Sequence, residues 1–297
     1  MTEPQQTGAQ GYSERGDEYF NRGDTDRAIA SYSVALNIDP NLISALLSRG
    51  DAYRKKDDFD NAIADYNSVL KINPIHARAL CWRSDAYRGK GAFDRAVADI
   101  NMALEIDPNN SDAFCNRAKA YCEKGDYDKA IEDCNTALSI APNNSRPLKH
   151  RGKAYLGKND FDTALTDINT ALEISPKDSG LLCDRAWIYG SMSEYDKGIE
   201  DCNTAMKIKP NCAIAFKYRA MMYHGKDDYD KALEDYSTSL KINPRDITVL
   251  KCRGAIFMRC NKYDQAIADF NAALELDPDD AELLQERRKA ASEKRFG

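Results

Sequence analysis

The sequence predicts an all-α fold assembled from one repeated helical hairpin, and three observations carry that expectation. Proline stands at positions 40, 74, 108, 142, 176, 210, 244 and 278, an interval of 34 residues each time with no insertion or deletion. Inside each interval, apolar residues recur at the short spacings that place them on one face of a helix. Small residues and aromatics also alternate at fixed positions, as helices need in order to interlock at close range. A period of this size marks a stack of supersecondary units, each depending on its neighbours to bury its apolar surface. The repeats are expected at 9–42, 43–76, 77–110, 111–144, 145–178, 179–212, 213–246 and 247–280. A polar helix over 281–297 is expected to cap the stack, and 1–8 to form a disordered tail.

The repeat at 111–144 justifies each element in order. Phe114, Ala118 and Tyr121 define one face of a first helix. Gly125-Asp126 interrupts it, and Asp126 is placed to cap a second helix starting near Tyr127. Ala130, Cys134, Ala137 and Leu138 share one side of that helix, which Pro142 ends. Ser111, or Ser145 in the next repeat, can cap the helix that follows. Position 8 of the repeat is always small (Gly16, Gly50, Ser84, Ala118, Gly152, Ala186, Ala220, Gly254). Position 20 is alanine in every repeat except for Gly198, and position 11 is tyrosine except for Phe257.

Composition narrows the class. The 297 residues are 42% hydrophobic and 30% charged, as in a soluble folded protein, and carry a net charge of −6. No apolar run approaches the roughly 20 residues that a membrane-spanning helix needs. Residues 1–10 are polar, without the apolar core of a secretion signal. Nine cysteines, odd in number and without a Cys-x-x-Cys pair, fit a reducing cytoplasm and a role as small core residues. With only His76, His150 and His224 beside them, no metal site and no cofactor is expected.

The aromatic, small, tyrosine, alanine, aromatic, alanine and proline positions at these spacings resemble the tetratricopeptide repeat family over residues 9–280. That resemblance implies a right-handed superhelical α-solenoid of eight helix-turn-helix repeats, with the first helices lining a concave groove. It also implies a binding scaffold for peptides or protein surfaces. One variant of the family grips the terminal carboxylate of heat-shock chaperones with lysine and asparagine at positions 5 and 9. Position 9 here reads Asp17, Asp51, Asp85, Lys119, Lys153, Trp187, Met221 and Ala255, so that activity is not expected.

Position 7, commonly leucine in the resembled family, is arginine in all eight repeats: Arg15, Arg49, Arg83, Arg117, Arg151, Arg185, Arg219 and Arg253. Position 23 is aspartate in every repeat but the first, where Ser31 stands. Such columns suggest partly buried ion pairs between helices rather than a row of arginines for phosphate. The capping helix retains Arg287 but has no second helix. The pairs are therefore expected to run from one repeat to the next: Asp65–Arg83, Asp99–Arg117, Asp133–Arg151, and so on to Asp269–Arg287.

In the resembled family positions 2, 5, 9, 12 and 13 face the groove. Here these columns hold eleven basic residues (Arg54, Lys55, Arg78, Arg88, Lys119, Arg146, Lys149, Lys153, Lys217, Lys251, Arg259) against five acidic ones (Asp17, Asp51, Asp85, Asp112, Glu123). An excess of six positive charges on an acidic chain favours acidic partners. Asp51–Arg54 and Asp85–Arg88 can pair locally, leaving the later repeats more basic. Trp187, Met221 and Met258 add apolar surface, and Trp187 is read either as a partner's anchor or as packing against the next helix.

The sequence thus predicts a non-catalytic scaffold for an acidic peptide or helix. The expected contacts are Arg88, Lys119, Arg146, Lys149, Lys153, Trp187, Lys217, Met221 and Lys251. No nucleophile motif or phosphate-cradling glycine loop is present, so activity would require a partner chain. Self-association is the second reading, and a non-catalytic subunit of an enzyme complex a weaker one. The charged terminal helices favour a monomer or weak oligomer. Neither nucleic acid nor membrane is an expected partner.

Overall fold

Each repeat folds as a helix, a short turn and a second helix, in a computed structural model that describes residues 8–296. The expected tail over 1–8 lies, Gly8 apart, outside the described residues. Every described element is helical, and within each of two compact units helices adjacent in sequence pack together, as in an all-α solenoid. The chain divides into two compact halves, residues 1–158 and 159–297. The N-terminal half contains α1 (Ala9–Asn21), α2 (Thr25–Ile38), α3 (Ile43–Lys55), α4 (Phe59–Ile72), α5 (Ala77–Gly89), α6 (Phe93–Ile106), α7 (Ser111–Lys124), α8 (Tyr127–Ile140) and α9 (Ser145–Gly157). The C-terminal half contains α10 (Phe161–Ile174), α11 (Ser179–Ser191), α12 (Tyr195–Ile208), α13 (Ala213–Gly225), α14 (Tyr229–Ile242), α15 (Ile247–Arg259), α16 (Tyr263–Leu276) and α17 (Ala281–Phe296).

Local chemistry sets the helix starts. Asp24, Asp58, Asp160 and Asp228 each accept a backbone N–H from the third residue beyond, capping α2, α4, α10 and α14. Asp126 makes no such bond before α8; its carboxylate lies 3.6 Å from Lys124 and 3.7 Å from Lys129 instead. The caps of α7 and α9 are Asn110 and Asn144, one residue ahead of the expected serines. Ser111 is already helical and donates its hydroxyl to the Ala137 carbonyl. The residue that turns each hairpin has positive φ in all eight repeats, through Gly23, Asp57, Gly91, Gly125, Asn159, Ser193, Asp227 and Asn261. Glycine, asparagine and aspartate tolerate that conformation best, so the turn is written in the sequence.

Position 8 meets position 24 of the same hairpin, and in six of the eight repeats a larger residue at one stands with a smaller one at the other. A Cβ added to Gly50 would stand 2.6 Å from the Tyr66 ring, and one added to Gly254 2.6 Å from Phe270. Where position 24 is Ile100, Cys134 or Cys202, position 8 grows to Ser84, Ala118 or Ala186. In these repeats a smaller position 24 is offset at one buried layer by a larger position 8, as close packing favours, while Gly152 with Ile168 and Ala220 with Tyr236 depart from the trade. Cys134 and Cys202 are fully buried in this layer, as small core residues should be.

The arginine column does not pair as the sequence reading expected. Arg83 grips Asp99 of its own repeat, with Nε to Oδ2 at 2.8 Å and Nη2 to Oδ1 at 2.5 Å, and not Asp65. Asp65 is held by Arg49, Asp99 by Arg83, Asp133 by Arg117 and Asp269 by Arg253, all in the same two-pronged geometry. Arg185–Asp201 and Arg219–Asp235 follow the same rule. The expected pairs Asp65–Arg83, Asp99–Arg117, Asp133–Arg151 and Asp269–Arg287 are therefore replaced by pairs within one repeat. Position 23 points across the hairpin to its own first helix, and the link to the preceding repeat falls to position 25. There Nη1 of Arg83, Arg117, Arg151, Arg185 and Arg219 donates to Asn67, Asn101, Asn135, Asn169 and Asn203. Arg49 and Arg253 use Ser33 and Ser237 in the same way. One guanidinium thus joins three helices, with fixed forked geometry that lysine could not supply.

Candidate functional site

Position 9 lies between two buried neighbours, positions 8 and 10, on the first helix of every repeat but the first, where position 10 is the exposed Glu18. Ala118 and Ala120 flank Lys119, Gly152 and Ala154 flank Lys153, and Ala186 and Ile188 flank Trp187. The buried pair fixes the helix against its neighbours and turns position 9 to the accessible side. Lys153 is exposed there, and Lys119 and Trp187 are half-buried.

In the N-terminal half the basic residues of this side differ sharply in how they are engaged. Arg54 is bound to Asp51, its Nε reaching Oδ1 at 3.1 Å. Arg88 donates to Asp85 at 3.3 Å and to both oxygens of Glu123 at 2.7 and 2.9 Å, crossing from α5 to α7. Arg146 crosses from α9 to α7, donating to Asp112 at 2.6 Å and to Asn116 at 3.1 Å. Lys55 lies on the Phe20 ring, 3.5 Å from its centre. Lys119 has no carboxylate within hydrogen-bonding distance. Burial, then the neighbouring Arg88 charge, pull its ammonium below the ordinary lysine range. His150, on α9 beside this group, is only 9% exposed. Burial, with the charges of Lys153, Lys119, Arg146 and Lys149, holds its imidazole neutral, with a pKa pushed down to about 3. Arg88, Lys119, Arg146, Lys149 and Lys153 are therefore brought onto neighbouring turns of α5, α7 and α9.

In the C-terminal half, the Trp187 ring lies against Tyr218 of α13, with centroids 5.1 Å apart and planes tilted by 32°. This is the packing reading of Trp187, although the side chain stays half-exposed. Met221 packs on the core formed by α13 to α17. Lys217 is held by Asp246 at 3.1 Å, and Lys251 by Asp280 at 3.2 Å and Glu282 at 2.7 Å. Both lysines were expected to meet a partner's carboxylates, but acidic caps of the following helices already hold them.

A second column escaped the sequence reading. Position 14 of one repeat meets Asp at position 18 of the previous one, as Lys56–Asp26, Lys90–Asp60, Lys124–Asp94, Lys158–Asp128, Lys226–Asp196 and Lys294–Asp264. The signal was present, since position 18 is aspartate in all eight repeats. These pairs are well exposed and contribute little individually. Burial raises the thiols of Cys81 and Cys115 to about 11 and those of Cys122 and Cys202 to about 12, so they stay protonated at neutral pH. Among the described residues no group of three or more His, Cys, Asp and Glu is placed to hold a metal ion. No described helix is long and apolar enough to cross a membrane.

Sequence models of the tetratricopeptide repeat match residues 16–56, 47–111, 111–144, 150–178, 179–212, 213–246 and 247–280. No curated protein sequence matches the chain. Among solved structures, a tetratricopeptide repeat protein from Parabacteroides merdae aligns with a TM-score of 0.72 at 18% identity, over 84% of this chain and 98% of that one. The Cut9–Hcn1 hetero-tetramer of the APC/C aligns at 0.68 and 16% identity, over 94% of this chain and 55% of the other, so this chain matches about half of its length. A thermophilic TPR protein of Thermus thermophilus aligns at 0.52 and 23% identity, over 61% of this chain and 98% of that one. These likenesses are likenesses of fold.

Proposed function

The chain belongs to the tetratricopeptide repeat family, whose fold mediates protein–protein interaction, and we propose that it is a non-catalytic scaffold for an acidic peptide or helix. The observation that carries this reading is the inner side of α7 and α9. Arg54, Arg88 and Arg146 are neutralised by the protein's own carboxylates, whereas half-buried Lys119 hydrogen-bonds none of them, although Asp85 and Glu123 stand beside it with Arg88. A partner's carboxylate would complete what the fold leaves incomplete, at low cost in conformational entropy because the helices are already fixed. The half-exposed Trp187, stacked on Tyr218 and followed along α13 by Met221, offers the C-terminal half a rigid apolar contact.

The test uses a fluorescein-labelled peptide of alternating glutamate and leucine, with binding read by anisotropy. The double variant K149E/K153E is expected to lose at least about tenfold in affinity, as charge reversal beside a charged ligand should. Its melting temperature should stay close to that of the parent. A parent chain that does not bind this peptide even at low salt, or a double variant that binds it as tightly as the parent, would remove the reading.

A further inference from the structure

Resting on that reading, we infer that Arg54 of α3 is a second docking point for a carboxylate of the partner, released to it when Asp51 turns from Arg54 to the hydroxyl of Tyr66. The first three repeats hold three versions of one contact between positions 9, 12 and 24. In the first, position 12 is Phe20, and the Tyr32 hydroxyl donates to Asp17 Oδ1 at 2.7 Å. In the third, position 24 is Ile100, so Asp85 bonds Arg88 with no tyrosine to compete. Only the second repeat carries aspartate, arginine and tyrosine together, as Asp51, Arg54 and Tyr66. There Arg54 holds the carboxylate. The fully buried Tyr66 is left with a hydroxyl that finds no partner in hydrogen-bonding geometry, although Asp51 and Arg54 both act on it.

Tyr66 occupies the seat that Tyr32 occupies one repeat earlier. A Cβ added to Gly50 would stand 2.6 Å from its ring, as one added to Gly16 would stand 2.4 Å from the Tyr32 ring. Trp82 of α5 packs against it, with ring centroids 6.1 Å apart. The ring stays in place, and a change of Asp51 rotamer brings the carboxylate to the hydroxyl. Arg54 loses little by the exchange. Its Nε and Nη2 both bond the single oxygen Oδ1 of Asp51, whereas Arg49 divides the same nitrogens between the two oxygens of Asp65. A partner's carboxylate can offer Arg54 that fork. The Arg54 side chain is 32% exposed against 18% for Asp51, so an incoming group meets the guanidinium first, which favours an anion over a cation. Asp85 also acts on Arg54, but it is bonded to Arg88. After the exchange both carboxylates and the buried hydroxyl have partners, the condition that folded interiors favour.

The labelled glutamate–leucine peptide tests the exchange on the full chain, again by anisotropy. R54M is expected to weaken binding about tenfold, the scale of a lost charge-assisted bond, and R54Q repeats the measurement if R54M does not fold. K90Q removes a positive charge from an exposed pair elsewhere and should leave affinity unchanged. Y66F deletes a hydroxyl that bonds nothing in the free chain, so its melting temperature should match or exceed the parent's. It should nevertheless bind the peptide about fivefold more weakly, because Asp51 then has nowhere to turn. D51A removes the competing carboxylate, and Y66F added to it should change affinity no further. R54M and R54Q binding like the parent, or K90Q losing as much as R54M, would overturn the inference. So would Y66F binding like the parent, or weakening the D51A chain as much as it weakens the parent. A chain that responds to K149E/K153E but not to R54M keeps the scaffold reading and loses the exchange, whereas a parent that leaves the peptide unbound loses both.

Discussion

His150 carries an imidazole into a layer where four cations face it and almost no water reaches it. Its pKa of about 3 in the fold stands against an ordinary value near 6.5, so the folded state binds fewer protons than the unfolded chain. A depressed folded value contributes stability that is complete above about pH 6.5 and is lost as pH falls toward 3. At pH 5 the loss from this one residue amounts to about 2 kcal/mol. Urea denaturation at pH 7 and pH 5 is therefore expected to show the parent losing about 2 kcal/mol more than H150L over that interval. Equal losses in the two proteins would mean that the imidazole is not held neutral by its surroundings. The same reasoning applies with less force to Lys119, whose half-buried ammonium retains some contact with water.

Between helices, the arginine clamp is the repeating joint, and it divides what sequence could reveal from what it could not. Both charge columns were legible, as was their partial burial, because eight arginines and seven aspartates in register have few other uses. The direction of pairing was not legible. Position 7 is 16 residues before its own aspartate and 18 after that of the preceding repeat, and both routes suit a hairpin stack. The argument from Arg287 failed because that residue settles for Asn271 at 3.4 Å while Asp269 stays with Arg253. The asparagine column at position 25 was the missing clue, since a neutral acceptor there can take the outward Nη1 that the bidentate bond leaves over. Asp235 is 4% exposed, so its replacement strands a guanidinium left with the Asn203 hydrogen bond and the Phe216 and Tyr223 rings. D235A is expected to cost about 3–5 kcal/mol, and the apolar pair R219M/D235L about 1–2 kcal/mol, because removing both charges also removes their desolvation. Chemical denaturation of the two variants decides it, and equal losses would show that the pair, not the orphaned charge, sets the cost.

At the scale of the whole molecule, the solenoid is legible from period alone, and the candidate face only in part. Columns at positions 2, 5 and 9 could be written down from the sequence, yet Lys217 and Lys251 turn out to be held by Asp246, Asp280 and Glu282. Those carboxylates lie about 30 positions along the chain, at the starts of later helices, where linear pattern gives no hint of reach. That Lys119 hydrogen-bonds no carboxylate, although Asp85 and Glu123 stand near, is visible only once its neighbours are placed. Packing within each half is local, its helices meeting those one or two places along the chain. Stability in such an array is close to a sum of repeat and nearest-neighbour terms, so damage should stay near its origin. G50A places a methyl group 2.6 Å from the Tyr66 ring and is expected to cost about 1–3 kcal/mol through overpacking. Native-state hydrogen exchange should then rise in α1 to α4 while α7 to α9 keep the parent's protection. Adding Y66I, which restores the small-with-small pairing seen at Ser84 and Ile100, should recover part of the loss. Uniform acceleration from α1 to α9 would show that the N-terminal half opens as one cooperative block and that its repeats do not answer to their neighbours alone.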